Sequence, residues 1–241
     1  MLPCSRFYRK VANLLLILEL RKFLKKMLKI LRSHRVFFTL FFFWLIILAC
    51  LQLAFSPTEM MFWVNRHNSP FLDTFFQYIT LLGEDGFWLV PLIVYLYQYF
   101  KEKKDVKTKA IMLIIIWITK GIISIALKNL FNLPRPMEVY EHSGRAIHTI
   151  RGLEIHHWQS FPSGHTFTGF AFACFYMLVA KNNRLGFLWL ALGMLIGYSR
   201  VYLFQHFPRD VFAGSILGVA VVLGIVFLWR ERPRGGRPFA V

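Results

Sequence analysis

The sequence predicts an all-α fold: a polytopic membrane protein of six transmembrane helices, the later ones packed as a tight bundle. Three observations carry this prediction. The chain of 241 residues is 56% hydrophobic and holds 26 Phe and 7 Trp, where a soluble domain is roughly 45–50% apolar. The excess is gathered in runs near the ~20 residues a helix needs to cross a bilayer. The formal net charge of +17 is concentrated between alternate runs rather than spread evenly.

The elements follow from the runs and their breaks. Residues 1–35 form a basic amphipathic segment in which Leu20, Phe23, Leu24, Met27, Leu28 and Leu31 share one helical side. Arg21, Lys22, Lys25, Lys26, Lys29 and Arg32 share the other. Such a stripe fits a helix lying in the cytoplasmic headgroup layer, and equally a tag that only sets orientation. Spans fall near 36–55, 86–100, 110–131, 163–180, 186–203 and 210–229, within a transmembrane domain of 36–230, and a basic tail occupies 231–241. The first span, VFFTLFFFWLIILACLQLAF, is bulky and featureless and belongs on the lipid-facing periphery. Residues 56–84 read as an outer connection resting at the interface, with turn signals at Ser69-Pro70 and from Gly83 to Gly86. Gly193 and Gly197, then Gly214 and Gly218, are small residues four apart, the spacing that lets membrane helices approach closely.

Charge sets the orientation. With a cytoplasmic N-terminus, segments 1–35, 101–109, 181–184 and 230–241 lie inside and hold 21 of the 29 Lys and Arg. This positive-inside bias places both termini in the cytoplasm. The basic residues therefore meet anionic membrane lipid, and no nucleic-acid partner is expected. Cys4, Cys50 and Cys174 lie toward the inner face or within spans and read as packing residues. No small-residue cleavage site follows the early apolar run, so no cleavable signal is expected.

Under this topology three polar clusters converge on the outer face: KNLFNLPRP from Lys128, FPSGH ending at His165, and SRVYLFQHFPRD from Ser199 to Asp210. Ser163 can cap the fourth helix, turning the first amides, those of Gly164 and His165, outward as an anion site; a plain serine cap would look the same. Lys128, Arg135 and Arg200 at outer helix ends could each be a snorkelling anchor. Three together on the outer side run against the inside bias, and a bound phosphate would supply the opposite charge. Pro134 and Pro136 bracket Arg135 and stop the third helix. Pro208 begins the sixth, and the four-residue spacing lets the Asp210 carboxylate approach the His206 imidazole. That pair either supports the loop or orients a nucleophile.

These clusters fit K-x6-RP, PSGH and SR-x5-H-x3-D, and on them the chain resembles the type 2 phosphatidic acid phosphatase superfamily, to which vanadium haloperoxidases are related. The motif-bearing region, Lys128 to Asp210, is about a third of the chain, and no motif position departs from the pattern. The resemblance implies a catalytic helix bundle and a membrane lipid phosphatase acting through a phosphohistidine. His206 would be the nucleophile, Asp210 its orienter and His165 the acid–base. Lys128, Arg135, Ser163, Gly164 and Arg200 would bind the phosphoryl oxygens. It implies no cofactor and no metal, with three fixed cations standing where a magnesium ion would otherwise sit. The substrate would be a lipid phosphomonoester or diphosphate of the undecaprenyl diphosphate, phosphatidic acid, phosphatidylglycerophosphate or lipid A kind, met at the outer face of a bacterial inner membrane. A phosphotransferase using the same intermediate and a non-catalytic phospholipid binder or transporter are the alternatives.

Two features stand outside the motifs. Glu154, His156 and His157 beside His148 are a poor zinc set, because adjacent histidines seldom face one way and no HExxH accompanies them. They would touch a head group or hydrogen-bond within their loop. Lys120 lies mid-span, ~12 Å inward of Lys128 at ~1.5 Å per residue, with no acidic partner in the spans; backbone or hydroxyl groups are the expected contacts.

Overall fold

A computed structural model of the chain describes residues 17, 18, 21, 22, 24–100, 106–179 and 186–230. Among these there are helices and loops but no strand. The start of the amphipathic segment, the 101–105 part of the charge run and the 231–241 tail lie outside the described residues. Residues 24–33 are helical, with Leu24 and Leu28 exposed and Ile30 buried against the core.

Helix α1 (Arg35–Ala54) is apolar all round, and only Phe37, Phe38, Phe41 and Leu48 are buried. It is therefore peripheral, fastened to the bundle where Trp44 Nε1 donates to Ser215 Oγ at 3.2 Å. Within the stretch expected as an interfacial connection, two helices form. In α2 (Pro57–Arg66) the Ser56 hydroxyl and the Glu59 carboxylate form a reciprocal capping box. In α3 (Pro70–Leu81) Ser69 Oγ accepts from the Leu72 amide. Both have proline in the first turn, where its missing N–H costs nothing. Ser69-Pro70, read as a turn signal, is a helix start.

A 3-10 turn (Asp85–Trp88) leads into α4 (Leu89–Phe100), and α3 with this piece makes a pair bent by 56°. Helix α5 (Val106–Phe131) is followed by the short α6 (Pro136–Tyr140) and a loop over 141–163. Then come α7 (Gly164–Val179), α8 (Gly186–Tyr202) and α9 (Pro208–Arg230). By length and apolarity three helical stretches among the described residues can cross a membrane, 35–54, 106–140 and 208–229, and a fourth if the bent pair is one crossing. Helices α7 and α8 have 16 and 17 residues, about 25 Å at ~1.5 Å per residue, short of a ~30 Å hydrocarbon core without their flanking residues. The expected count of six crossings is therefore not established by helix length.

Helix α7 is the axis of the bundle, buried along nearly its whole length and packed chiefly on α9 and α8. The glycines at four-residue spacing make this contact. A Cβ on Gly214 would lie 2.8 Å from the Ser163 carbonyl oxygen, and one on Gly218 would lie 2.7 Å from that of Phe167. The two backbones thus touch where a side chain would hold them apart. One end of the bundle is closed by an aromatic cluster of Phe76, Tyr202, Phe204 and Phe207, with Phe62 and Tyr140 packed on it. The 141–163 loop is tied down there: His148 Nε2 lies 2.9 Å from an Asp73 carboxylate oxygen that also accepts from the Tyr202 hydroxyl.

Candidate active site

Four helix ends meet beside that cluster: the C-termini of α5 and α8 and the N-termini of α7 and α9. Because these helices alternate in direction, residues far apart in sequence arrive at one end. Backbone hydrogen bonds stitch them together. The Ser163 amide donates to the Asp210 carbonyl at 3.1 Å, that of Ser160 to Leu133 at 2.9 Å, and that of Arg135 to His157 at 2.7 Å. Lys128 is brought over the first turn of α7, its Nζ 3.9 Å from where a Cβ on Gly164 would sit. The Ser163 hydroxyl caps α7, accepting from the Thr166 amide at 3.4 Å and hydroxyl at 2.9 Å. Its own proton is left to point elsewhere, and the next two amides, of Gly164 and His165, lack intrahelical acceptors as in any α-helix.

The loop between α8 and α9 turns sharply at Phe204, whose φ is +58°. The Gln205 amide returns to the Arg200 carbonyl and the Phe204 amide to that of Val201, the paired bonds of a Schellman ending with phenylalanine where glycine is usual. The His206 amide also donates to the Arg200 carbonyl, at 3.1 Å. Arg200 and His206 are thereby locked to one another by main chain alone.

His206 is 1% exposed. Burial, then the charges of Arg135, Arg200, Lys128 and His165, hold its imidazole well below the ordinary value, so the ring is neutral at neutral pH. Those four groups are the expected cations and the second histidine, and the charge of each bears on this ring. Arg135 is aimed by its neighbours: Nε donates to the Trp158 carbonyl at 2.9 Å and Nη1 to Gln205 Oε1 at 3.1 Å. One expected contact differs. Asp210 Oδ2 is 3.7 Å from His206 Nδ1, beyond hydrogen-bond range. That oxygen is engaged instead by Ser160 Oγ at 2.5 Å and the Phe207 amide at 2.9 Å. Among the described residues His206 Nδ1 has no hydrogen bond. Asp210 acts here as a cap for its own helix, poised beside the ring.

Several contributors carry no motif. Ser160 and Gln205 hold Asp210 and Arg135, and Arg200 Nη1 donates to Thr80 Oγ1 at 2.6 Å. Ser160 lies just outside the second motif and Gln205 within the third's unspecified positions, but nothing near Thr80 announces a partner 120 residues away. Lys120 departs from expectation: it is buried and paired with Asp85 at the bend after α3, a carboxylate beyond the long apolar runs. The loop histidines divide. His157 faces Glu138 at 2.9 Å and His148 faces Asp73, whereas burial and then Arg135 lower the pKa of His156. The cations' field thus reaches His156. Glu138, Glu141 and His157 bring possible ligand atoms within 4.8 Å of one another, and the cations above have no part in that group.

A cavity of about 720 Å³ lies between α1, α2, α8 and α9, lined by Trp44, Leu48, Met60, Tyr198, Val201 and Val211 among others. None of the cations or histidines above lines it.

Residues 109–234 match the PAP2 superfamily. The undecaprenyl-diphosphatase BcrC of Bacillus subtilis is 30% identical over 169 residues, covering 68% of this chain and 77% of that protein. A lipid A 1-phosphatase of Rhizobium johnstonii is 27% identical over 158 residues, covering 59% of this chain and 63% of that protein. The crystal structure of Aquifex aeolicus LpxE is similar at a TM-score of 0.58 and 31% identity, covering 70% of this chain and 94% of that one.

Proposed function

This membrane protein belongs to the PAP2 superfamily, and from that premise we propose that it is a lipid phosphatase working through a phosphohistidine on His206. The observation that carries this is the buried, neutral His206 ring set among Arg135, Arg200, Lys128 and His165. Phosphoryl transfer asks a protein mainly for positioning and for charge placed where the transition state needs it. The three cations, the Ser163 hydroxyl and the Gly164 amide bind the phosphoryl oxygens. The far ring nitrogen of His206 attacks phosphorus as the bond to the lipid oxygen breaks, and His165 gives its proton to that oxygen. Water then attacks the phosphorus and loses a proton to His165, the P–N bond breaks, and phosphate leaves. As the imidazole gains positive charge, Asp210 closes its 3.7 Å gap; such contacts commonly tighten only in the reacting complex.

The substrate is a lipid phosphomonoester or diphosphate. A site at one end of membrane-crossing helices lets the tails stay in hydrocarbon while the head group reaches the cations. The relatives named for undecaprenyl diphosphate and lipid A support this class. Six crossings, a site on the outer face of a bacterial inner membrane and cytoplasmic termini complete the reading, supported by the positive-inside bias. The test is phosphate release by purified protein in detergent from undecaprenyl diphosphate, phosphatidic acid, phosphatidylglycerophosphate and lipid A. One or more should yield free phosphate, and His206→Ala should lose at least ~10³-fold in turnover while still binding vanadate, a phosphate mimic. No release from any, phosphate recovered on another lipid, or an active His206→Ala enzyme would overturn the proposal.

A further inference from the structure

The chain bends between α3 and the 3-10 turn through Leu82, Gly83 and Glu84. This bend belongs to none of the three motifs and precedes the first of them by more than forty residues, yet four residues in it or flanking it, Thr80, Gly83, Glu84 and Asp85, bear on the site. Thr80 Oγ1 accepts from Arg200 Nη1 at 2.6 Å, both side chains buried. Gly83 lies against His165: a Cβ there would stand 2.9 Å from His165 Cβ, 3.0 Å from its carbonyl oxygen and 2.8 Å from Ile196 Cγ2. Glu84 is near enough to Arg200 for its carboxylate to act on the guanidinium. Asp85 holds Lys120, whose charge in turn reaches Lys128 and His165.

We propose that this bend is a fourth wall of the catalytic cradle, with Thr80 the positioning residue for Arg200 and Gly83 the positioning residue for His165. The inference rests on the roles given above to those two side chains. Arg200 offers five N–H donors in a rigid fork, so one fixed bond sets the direction of the rest. Thr80 makes that bond, and Nε, buried and without a partner among the described residues, shows that the guanidinium is not otherwise saturated. Gly83 serves by absence. Its backbone is not in the left-handed region, so glycine is needed there for space: the first turn of α7 occupies the volume of a methyl group. Adding that carbon meets a Cβ and a carbonyl, neither of which can swing aside, and the helix turn bearing His165 must shift.

The experiment uses the full chain in detergent, carrying Thr80→Val, Thr80→Ser, Gly83→Ala or Gly86→Ala. Gly86, three residues on, is the control, because a methyl group added there would meet nothing within 4 Å. Rates are measured on a lipid phosphate and on an aryl phosphate, whose good leaving group needs little help from an acid. Thr80→Val, which keeps the shape and loses the hydroxyl, should lower kcat/KM and vanadate affinity at least ~10-fold, and Thr80→Ser should restore both. Gly83→Ala should lower kcat on the lipid by ~10- to 100-fold and on the aryl phosphate by much less, while Gly86→Ala stays at the wild-type rate. Wild-type rates for Thr80→Val and Gly83→Ala, a Thr80→Ser no better than Thr80→Val, or equal Gly83→Ala losses on both substrates would overturn the inference. His165→Ala and Arg200→Gln are assayed alongside. Full activity in those two would instead sink the active-site assignment itself.

Discussion

The nucleophilic role proposed for His206 asks for an uncharged ring, and burial and then three cations oppose a positive charge there. A depressed pKa keeps the neutral, nucleophilic ring fully populated above its ordinary value of about 6.5, and that population is lost only as pH falls through the lowered pKa. The acid limb of kcat/KM, with the substrate's own ionisation divided out, should therefore lie below about pH 6.5; a limb at or above that value would count against a neutral His206. Asp210 is held in waiting by Ser160, a hydrogen bond to a buried carboxylate of the kind worth about 1.5–3 kcal/mol. Ser160→Ala should lower the melting temperature in detergent and reduce turnover less than Asp210→Ala does. An unchanged melting temperature would show that the 2.5 Å contact contributes nothing.

At the scale of elements, the site depends on α7 and α9 touching backbone to backbone. Gly218→Ala would force a carbon to within 2.7 Å of the Phe167 carbonyl oxygen, and overpacking of this kind costs about 1–3 kcal/mol. Gly224, on the same helix, faces open space; Gly224→Ala should be neutral or gain up to ~1 kcal/mol of helix propensity. Thermal unfolding of the two variants checks this, and equal stabilities would show that the close approach is dispensable. The turn at Phe204 works at the same scale. A buried, non-glycine left-handed residue costs about 1–2 kcal/mol locally, and it persists because its ring fills the aromatic cluster beside Phe62 and Tyr140.

At the scale of the molecule, the site's usefulness depends on which side of the membrane it faces. Single cysteines in a cysteine-free background report this directly. Ser143→Cys, exposed in the 141–163 loop that follows α6, should react with a membrane-impermeant maleimide in intact cells. Lys107→Cys, at the opposite end of α5, should react only after permeabilisation. Labelling of both from the same side would undo the proposed topology.

The membrane class, the helical fold and the close-packing glycines were legible in the sequence, which also named the eight residues proposed for the site. Each of those signals is local: a run of apolar side chains, a four-residue spacing, a short motif. It took Ser69-Pro70 for a turn because Ser-Pro serves a turn as well as a helix start, and only the following residues' packing decides between them. It could not pair Lys120 with Asp85, Arg200 with Thr80, or His165 with Gly83, nor foresee that Ser160 would take the Asp210 oxygen expected for His206. Those choices were made by the tertiary structure alone. A hydrogen bond or a steric contact is fixed by separation in space over about 3 Å, and folding brings together residues that the chain keeps dozens of positions apart.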